Sequence, residues 1–302
     1  MKNQLKGTLI LLLTALVWGC AFVAQSSAAG TLSTFPILAA RYLMGGLVLL
    51  PVIWLRRKAA AKADFKKLLF SGLVCGGILC LASGLQQFGL EFTTPGKAGF
   101  ITSLYILGVP IIGLFAGKKI ASHVWLCIAA GVVGLYLLCM DGSFVLSTGD
   151  IMVILCAVVF SFHIVAVDYF VRFVDGVQLA CAQFFTAGII ALVLMLFFEK
   201  PQMDVVLDSA LPILYLGLMS TGVGYTLQIV GQKYCSPTLA SLAMSFESVF
   251  AVVGEMVVFG LIMGRDVAMS SREIIGCIVM FAAIMISQLP AKKERVHENS
   301  VN

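Results

Sequence analysis

Ten runs of roughly 20 apolar residues, each bounded by charges, prolines or polar clusters, divide this chain into segments long enough to cross a bilayer as α-helices. They cover 7–28, 36–55, 68–90, 96–116 and 124–140, then 151–171, 177–198, 210–231, 237–262 and 274–289. Barrel strands of about 10 alternating residues are a different pattern, and that alternation is absent. With 60 % of its 302 residues hydrophobic, only 12 % charged and a mean hydropathy of +1.04, the chain lacks the polar surface of a soluble enzyme. The expected fold is an all-α integral membrane protein. Ten such helices leave no room for a soluble catalytic domain.

Basic residues collect in cytoplasmic loops, which sets the orientation. With the N-terminus inside, one face takes Lys2, Lys6, Arg56, Arg57, Lys58, Lys62, Lys66, Lys67, Lys118, Lys119, Arg172, Lys233, Lys292, Lys293 and Arg295, 15 of the 20 basic residues. The other face takes Lys97, Lys200, Arg265 and Arg272, and Arg41 falls inside a span. Both termini are therefore expected in the cytoplasm, and the net charge of +5 is loop charge rather than a nucleic-acid surface. The small residues Ser26, Ser27, Ala28 and Ala29 imitate a signal-peptidase site, but the many later spans favour a retained first helix. The nine cysteines lack clustered ligand spacing and read as small membrane-core residues rather than disulfides or metal ligands.

Sliding the sequence along itself exposes a repeat at a constant offset of 142 residues. Ala40 falls on Ala182, Gly46 on Gly188, Gln86 on Gln228, Gly89 on Gly231, Pro95 on Pro237, Ala98 on Ala240 and Ser103 on Ser245. Aromatic positions follow: Trp18 meets Phe160, Tyr42 meets Phe184, and Phe92 meets Tyr234. The register is expected to slip after residue 117, where the loop before the last helix is longer. Each half holds an odd number of spans, so the second enters the membrane from the opposite side. Two inverted five-helix repeats, 1–140 and 148–290, followed by a cytoplasmic tail at 291–302, would enclose a site near the midplane.

Several segments resemble the drug/metabolite transporter superfamily of the EamA-domain type. They are TALVWGCAFVAQ at 14–25, ARYLMGGLVLLPV at 40–52, the stretch 85–115 containing KAGFITSLY, FHIVAVDYF at 162–170 and TLASLAMSFESVF at 238–250. The resemblance implies a bacterial inner-membrane exporter or importer of small organic metabolites. It also implies a central cavity lined mainly by helices 1, 3, 4, 6, 8 and 9. The family has no catalytic signature, and the fold alone does not name a substrate.

Ionisable groups inside spans cost about 2.5 to 3.5 kcal/mol on insertion scales, so each calls for a reason. Glu247, near the middle of helix 9, either binds a cationic group or carries a proton, or else is held by Ser245 and Ser248 and only fixes helix contacts. Glu255, eight residues on, faces the same cavity or the interfacial layer. His163 and Asp168 lie about 140° apart on helix 6 and cannot share a narrow face. His163 is a proton relay, a substrate contact or a helix-helix partner, and Asp168 sits where an inner gate would be. Lys97 either meets a substrate carboxylate at the outer mouth or snorkels. Arg41 is read as structural.

Uncharged candidates complete the pocket. Thr14, Trp18, Phe22 and Gln25 form one stripe on helix 1, of which Trp18 and Gln25 are plausible contacts through the family resemblance. Tyr105 is the repeat equivalent of Glu247, so the two are natural facing members of a central site. Tyr225 and Gln228 add polar contacts on helix 8. No phosphate-binding loop, HExxH motif or paired-cysteine metal motif is present, so no cofactor and no metal are expected. The expected activity is secondary transport of a small, amino-acid-like metabolite by alternating access, with membrane lipid as surroundings and a monomer or homodimer as the unit. A proton-coupled exporter of cationic amphipaths is the alternative. A membrane-embedded enzyme acting on lipid is disfavoured, because Asp, His or Cys do not cluster at one depth.

Overall fold

A computed structural model describes residues 2–56, 64–139, 147–199, 203–257, 270–287 and 289. Helices fill them: α1 (Lys2–Ala29), α2 (Thr34–Arg56), α3 (Phe65–Leu90), α4 (Pro95–Ser103), α5 (Tyr105–Phe115), α6 (Ser122–Cys139), α7 (Thr148–Phe170) and α8 (Gly176–Phe198). Next come α9 (Met203–Asp208), α10 (Ala210–Leu214), a π-helical stretch (Tyr215–Tyr225), α11 (Thr226–Gln232), α12 (Pro237–Met244), α13 (Glu247–Glu255) and α14 (Ser271–Ser287). No strand occurs among the described residues. Eight helical stretches are long and apolar enough to cross a membrane, while α6 and α14 are shorter. Large side chains such as Leu55, Phe115, Leu126 and Phe197 stand exposed on the outside, as a lipid environment requires.

Local sequence sets the helix starts. Asp64 and Asp175 accept the first amide N–H groups of α3 and α8, and Ser147 with Asp150 forms a reciprocal capping box on α7. Thr94 caps α4 and Ser236 caps α12, each followed by proline at the first helical position, and the two caps are repeat equivalents. The spans they open are also broken at equivalent places. Leu104 separates α4 from α5, and Ser245–Phe246 separates α12 from α13. At both breaks the backbone tightens to i,i+3 hydrogen bonds, Leu107 N–H to Leu104 O at 2.9 Å and Val249 N–H to Phe246 O at 3.1 Å. Tyr105 and Glu247 are thereby placed just past a break in mid-span.

Packing follows the repeat residue by residue. Gly46 meets the Phe185 ring while its equivalent Gly188 meets Leu43, the equivalent of Phe185, so α2 and α8 run antiparallel. Gly89 meets Val153 of α7, and the image of that contact is Gly231 against Leu11 of α1. Gly19 lies against Phe250, and in the other half Gly108 takes the place of Phe250 and Ser161 that of Gly19. In each pair one partner lacks a side chain, which lets the backbones approach in a medium where helices associate through close van der Waals contact. Gly134 and Gly276 also pack on each other's helices, against Met280 and Leu138, at the same 142-residue spacing. The expected slip of register after residue 117 therefore does not persist into the last helices.

Candidate functional site

At the centre of the bundle lies a small cavity of about 30 Å³. Its wall takes Trp18, Phe22 and Gln25 from α1, Arg41 from α2, Gln86 from α3, and Thr102 and Tyr105 from the broken span α4–α5. Phe160 and Ile164 come from α7, Ser220 and Tyr225 from the π-helical stretch, Gln228 from α11 and Glu247 from α13. The helix is widened over the whole π-helical stretch from which Ser220 reaches inward, and π-helical geometry is frequent at functional sites. Six of the residues singled out in the sequence thus meet here: Trp18, Gln25, Tyr105, Tyr225, Gln228 and Glu247.

Glu247 is 3 % exposed and accepts a hydrogen bond from the Tyr105 hydroxyl at 3.0 Å. Residues related by a two-fold repeat touch only near its axis, so this contact places both on the axis. The neighbouring serines do not hold the carboxylate: Ser248 hydrogen-bonds Ser103 at 2.8 Å and Gly99 O at 3.0 Å, and Ser245 donates to Leu242 O at 2.8 Å. Trp18 donates its indole N–H to Ser220 O at 3.1 Å and packs on Tyr225 with ring centroids 4.6 Å apart. Gln86 donates to Thr102 at 3.1 Å. The side-chain oxygen of Gln228 is buried on the wall with no hydrogen-bond partner among the described residues.

Arg41, read above as structural, also lines this cavity. Its guanidinium is 2 % exposed and reaches the cavity wall, where Nη1 donates to Gln25 Oε1 at 3.0 Å, Nη2 to Ser220 Oγ at 2.9 Å and Nε to Thr221 Oγ1 at 3.3 Å. Its stem rises from the flank of α2, so helix 2 joins the cavity helices through side-chain length alone. A signal was present: its repeat equivalent is Gln183, so the fold does not need a cation at that position.

Three other candidates lie elsewhere. Lys97 is not on the cavity wall; it forms an ion pair with the buried Asp150 at 2.6 Å, and Asp150 also accepts from Thr93 at 2.7 Å and from the Ser147 amide at 2.7 Å. His163 sits one layer behind the wall, its Nε2 3.2 Å from Gln183 Oε1 and its ring edge-on to Tyr225. Asp168 binds Arg172 at 2.6 Å and Lys118 at 3.4 Å on the rim of a second, open chamber. The Glu255 side chain lies outside the described residues.

That open chamber measures about 900 Å³ and is bordered by Lys118, Lys119, Arg172, Lys233, Gln232, Tyr234 and Leu239. It is a vestibule on the lysine-rich and arginine-rich face. Cys235 lies on its wall, between spans, where burial and the nearby Asp168 charge push the thiol up to about 12. At the opposite end the helices are tied by the Lys97–Asp150 pair, by Thr34 donating to Glu91 at 3.1 Å and by the Phe35 amide donating to Glu199 at 3.1 Å.

Apolar helices that turn their hydrophobic side chains outward and enclose a polar chamber define a multi-pass membrane protein of the transporter kind. The chain belongs to the EamA-like transporter family, whose pattern matches residues 5–140 and 147–289. It is 29 % identical over 252 residues to an "Uncharacterized transporter" of Archaeoglobus fulgidus, covering 82 % of this chain and 77 % of that protein. A second "Uncharacterized transporter", from Clostridium kluyveri, is 23 % identical over 274 residues, covering 84 % and 86 %. A solved crystal structure superimposes with a TM-score of 0.74 at 20 % identity, over 95 % of this chain and 97 % of the other, a likeness of fold.

Proposed function

We propose that the protein is a secondary transporter of a small amino-acid-like metabolite, built as ten spans in two inverted five-helix repeats and working by alternating access. The observation that carries this reading is a basic and an acidic side chain placed on one buried wall. Arg41 and Glu247 both line the central cavity, and neither forms an ion pair with any described residue. Ionisable groups at that depth are costly to a fold that gains nothing from them, and a ligand carrying both signs offsets the cost of charging the two together. Antiparallel packing of the equivalent helices α2 and α8 supports the inverted arrangement.

The conformation fits one stage of such a cycle. A cavity of about 30 Å³ holds roughly one water, so a metabolite enters only when the bundle opens. On this reading the vestibule is the cytoplasmic mouth of an inner-membrane protein with both termini inside, a view supported by the excess of lysine and arginine on that face. The far end is closed by the Lys97–Asp150 pair. Arg41 on the wall weighs against the cationic-amphipath alternative, because it repels such a cargo. The test is release from proteoliposomes loaded with a mixture of amino acids and related metabolites, read by mass spectrometry with and without a pH gradient. Selective loss of amino-acid-like solutes is expected; retention of all of them defeats the reading.

A further inference from the structure

Among the groups on the cavity wall, Arg41 keeps spare hydrogen-bond donors while Glu247 and Gln228 keep spare acceptors. An arginine side chain has five N–H donors. Those of Arg41 are committed to Gln25, Ser220 and Thr221, one from each nitrogen, which leaves one N–H on each terminal nitrogen. With one donor free on each terminal nitrogen, the guanidinium retains the capacity to hydrogen-bond a carboxylate through both. All three committed partners are neutral, so they hold the guanidinium still without cancelling its charge. The Tyr42 ring lies 5.3 Å from the guanidinium carbon and fixes the plane further.

The acceptor end has matching spare capacity. A carboxylate offers about four acceptor positions. The Tyr105 hydroxyl takes one of those on Glu247, and Ser103 stands as a second neighbour. Gln228, 1 % exposed, adds a buried amide oxygen with no partner among the described residues. Its repeat equivalent Gln86 instead donates its amide N–H to Thr102. A protonated amine, a compact donor of three hydrogen bonds, satisfies both residues at once. Neither residue has an acidic or basic equivalent in the other repeat, where the neutral Gln183 stands for Arg41 and Tyr105 for Glu247.

Resting on the transporter reading above, we infer that Arg41 receives the carboxylate of the cargo and that Glu247 with Gln228 receives its protonated amine, so these three residues select zwitterions over amines and over carboxylic acids. The experiment loads proteoliposomes with three matched sets: α-, β- and γ-amino acids, the amines lacking their carboxylates, and the acids lacking their amines. Wild-type protein is expected to release the zwitterions. Arg41→Gln, which installs the residue found at position 183, is expected to lose about ten- to a hundredfold in zwitterion flux while amine flux holds or rises. Glu247→Gln is expected to do the reverse, sparing acids over zwitterions. Should Arg41→Gln fail to run as a monodisperse peak on size exclusion, Glu247→Gln and Gln228→Leu read the other end. Equal loss for all three sets in every folded variant overturns the assignment and leaves the transporter reading standing. Preference of the wild type for amines or acids overturns it too, and no release from any set overturns both.

Discussion

Two adjacent glycines on α3 make opposite demands on the packing. A β-carbon at Gly76 would stand 2.5 Å from Thr186 Cβ and 2.6 Å from the Gln183 backbone oxygen, whereas one at Gly77 meets nothing within 4 Å. Unstrained carbon contacts lie at about 3.5 to 4.0 Å, so alanine at 76 forces α8 back from α3 by about 1 Å. Alanine in place of a helical glycine brings a propensity gain of up to about 1 kcal/mol, and the gain is common to both positions. The difference between Gly76→Ala and Gly77→Ala is therefore the overpacking cost alone, about 1 to 3 kcal/mol. For a chain of this size the apparent melting points should differ by about 2 to 5 °C, with Gly77→Ala at or above wild type. Thermal unfolding in detergent, followed by loss of the monodisperse peak, measures it. Coincident melting points, or a Gly76→Ala protein that outlasts Gly77→Ala, would refute the close α3–α8 approach.

Tyr105→Phe removes the donor 3.0 Å from Glu247 and should lower substrate flux about tenfold in folded protein, measured in the same proteoliposomes. Lys97→Leu strands the buried Asp150 and should destabilise by about 3 to 5 kcal/mol, read as a fall in melting point. Adding Asp150→Thr installs the residues of the other repeat, Leu239 and Thr8, and should recover most of that loss; a double variant no better than the single one counts against the pair as drawn. The Cys235 thiol, held near 12 against 9 for a free one, should alkylate about a thousandfold more slowly than a model thiol at pH 7. Its rate should still be rising at pH 10, whereas the unfolded protein should level off, which peptide-level mass spectrometry resolves.

The spans were legible because a bilayer demands a fixed length of apolar helix, and the runs at 7–28, 68–90 or 177–198 satisfy it directly. The meeting of Tyr105 with Glu247 was legible for a deeper reason: a constant offset names the equivalent residues, and equivalents that lie on the axis must touch. Arg41 was hidden because its role depends on the rotation of α2 and on the reach of a long side chain, neither of which periodicity reports. Asp150 was hidden by its setting in the polar stretch 141–150, although Ser147 followed three residues later by an acidic group is a capping-box signature. The π-helical stretch had no such signal. Its composition, YLGLMSTGVGY, suits an ordinary helix, and the widening comes from packing against α1 and α2.

Small residues obey the repeat and charged ones break it. Gly46 and Gly188, Gly89 and Gly231, and Gly134 and Gly276 are paired, so the two halves can pack on each other in equivalent ways. Arg41 faces Gln183 across the repeat, Glu247 faces Tyr105, Lys97 faces Leu239 and Asp150 faces Thr8. A two-fold scaffold with identical halves would hold its two access states at equal free energy, because exchanging the halves exchanges the states. Here one end is tied by Lys97 and Asp150, while at the other end Leu239 lines an open vestibule. On the alternating-access reading the ion pair therefore favours the state open toward the basic face, since closing that end gains no equivalent contact. Cargo that neutralises Arg41 and Glu247 together is then what can offset the loss of the pair, and a ligand of single charge leaves one of the two uncompensated. On that reading, selectivity and resting state trace to the same few residues, those at which the second half departs from the first.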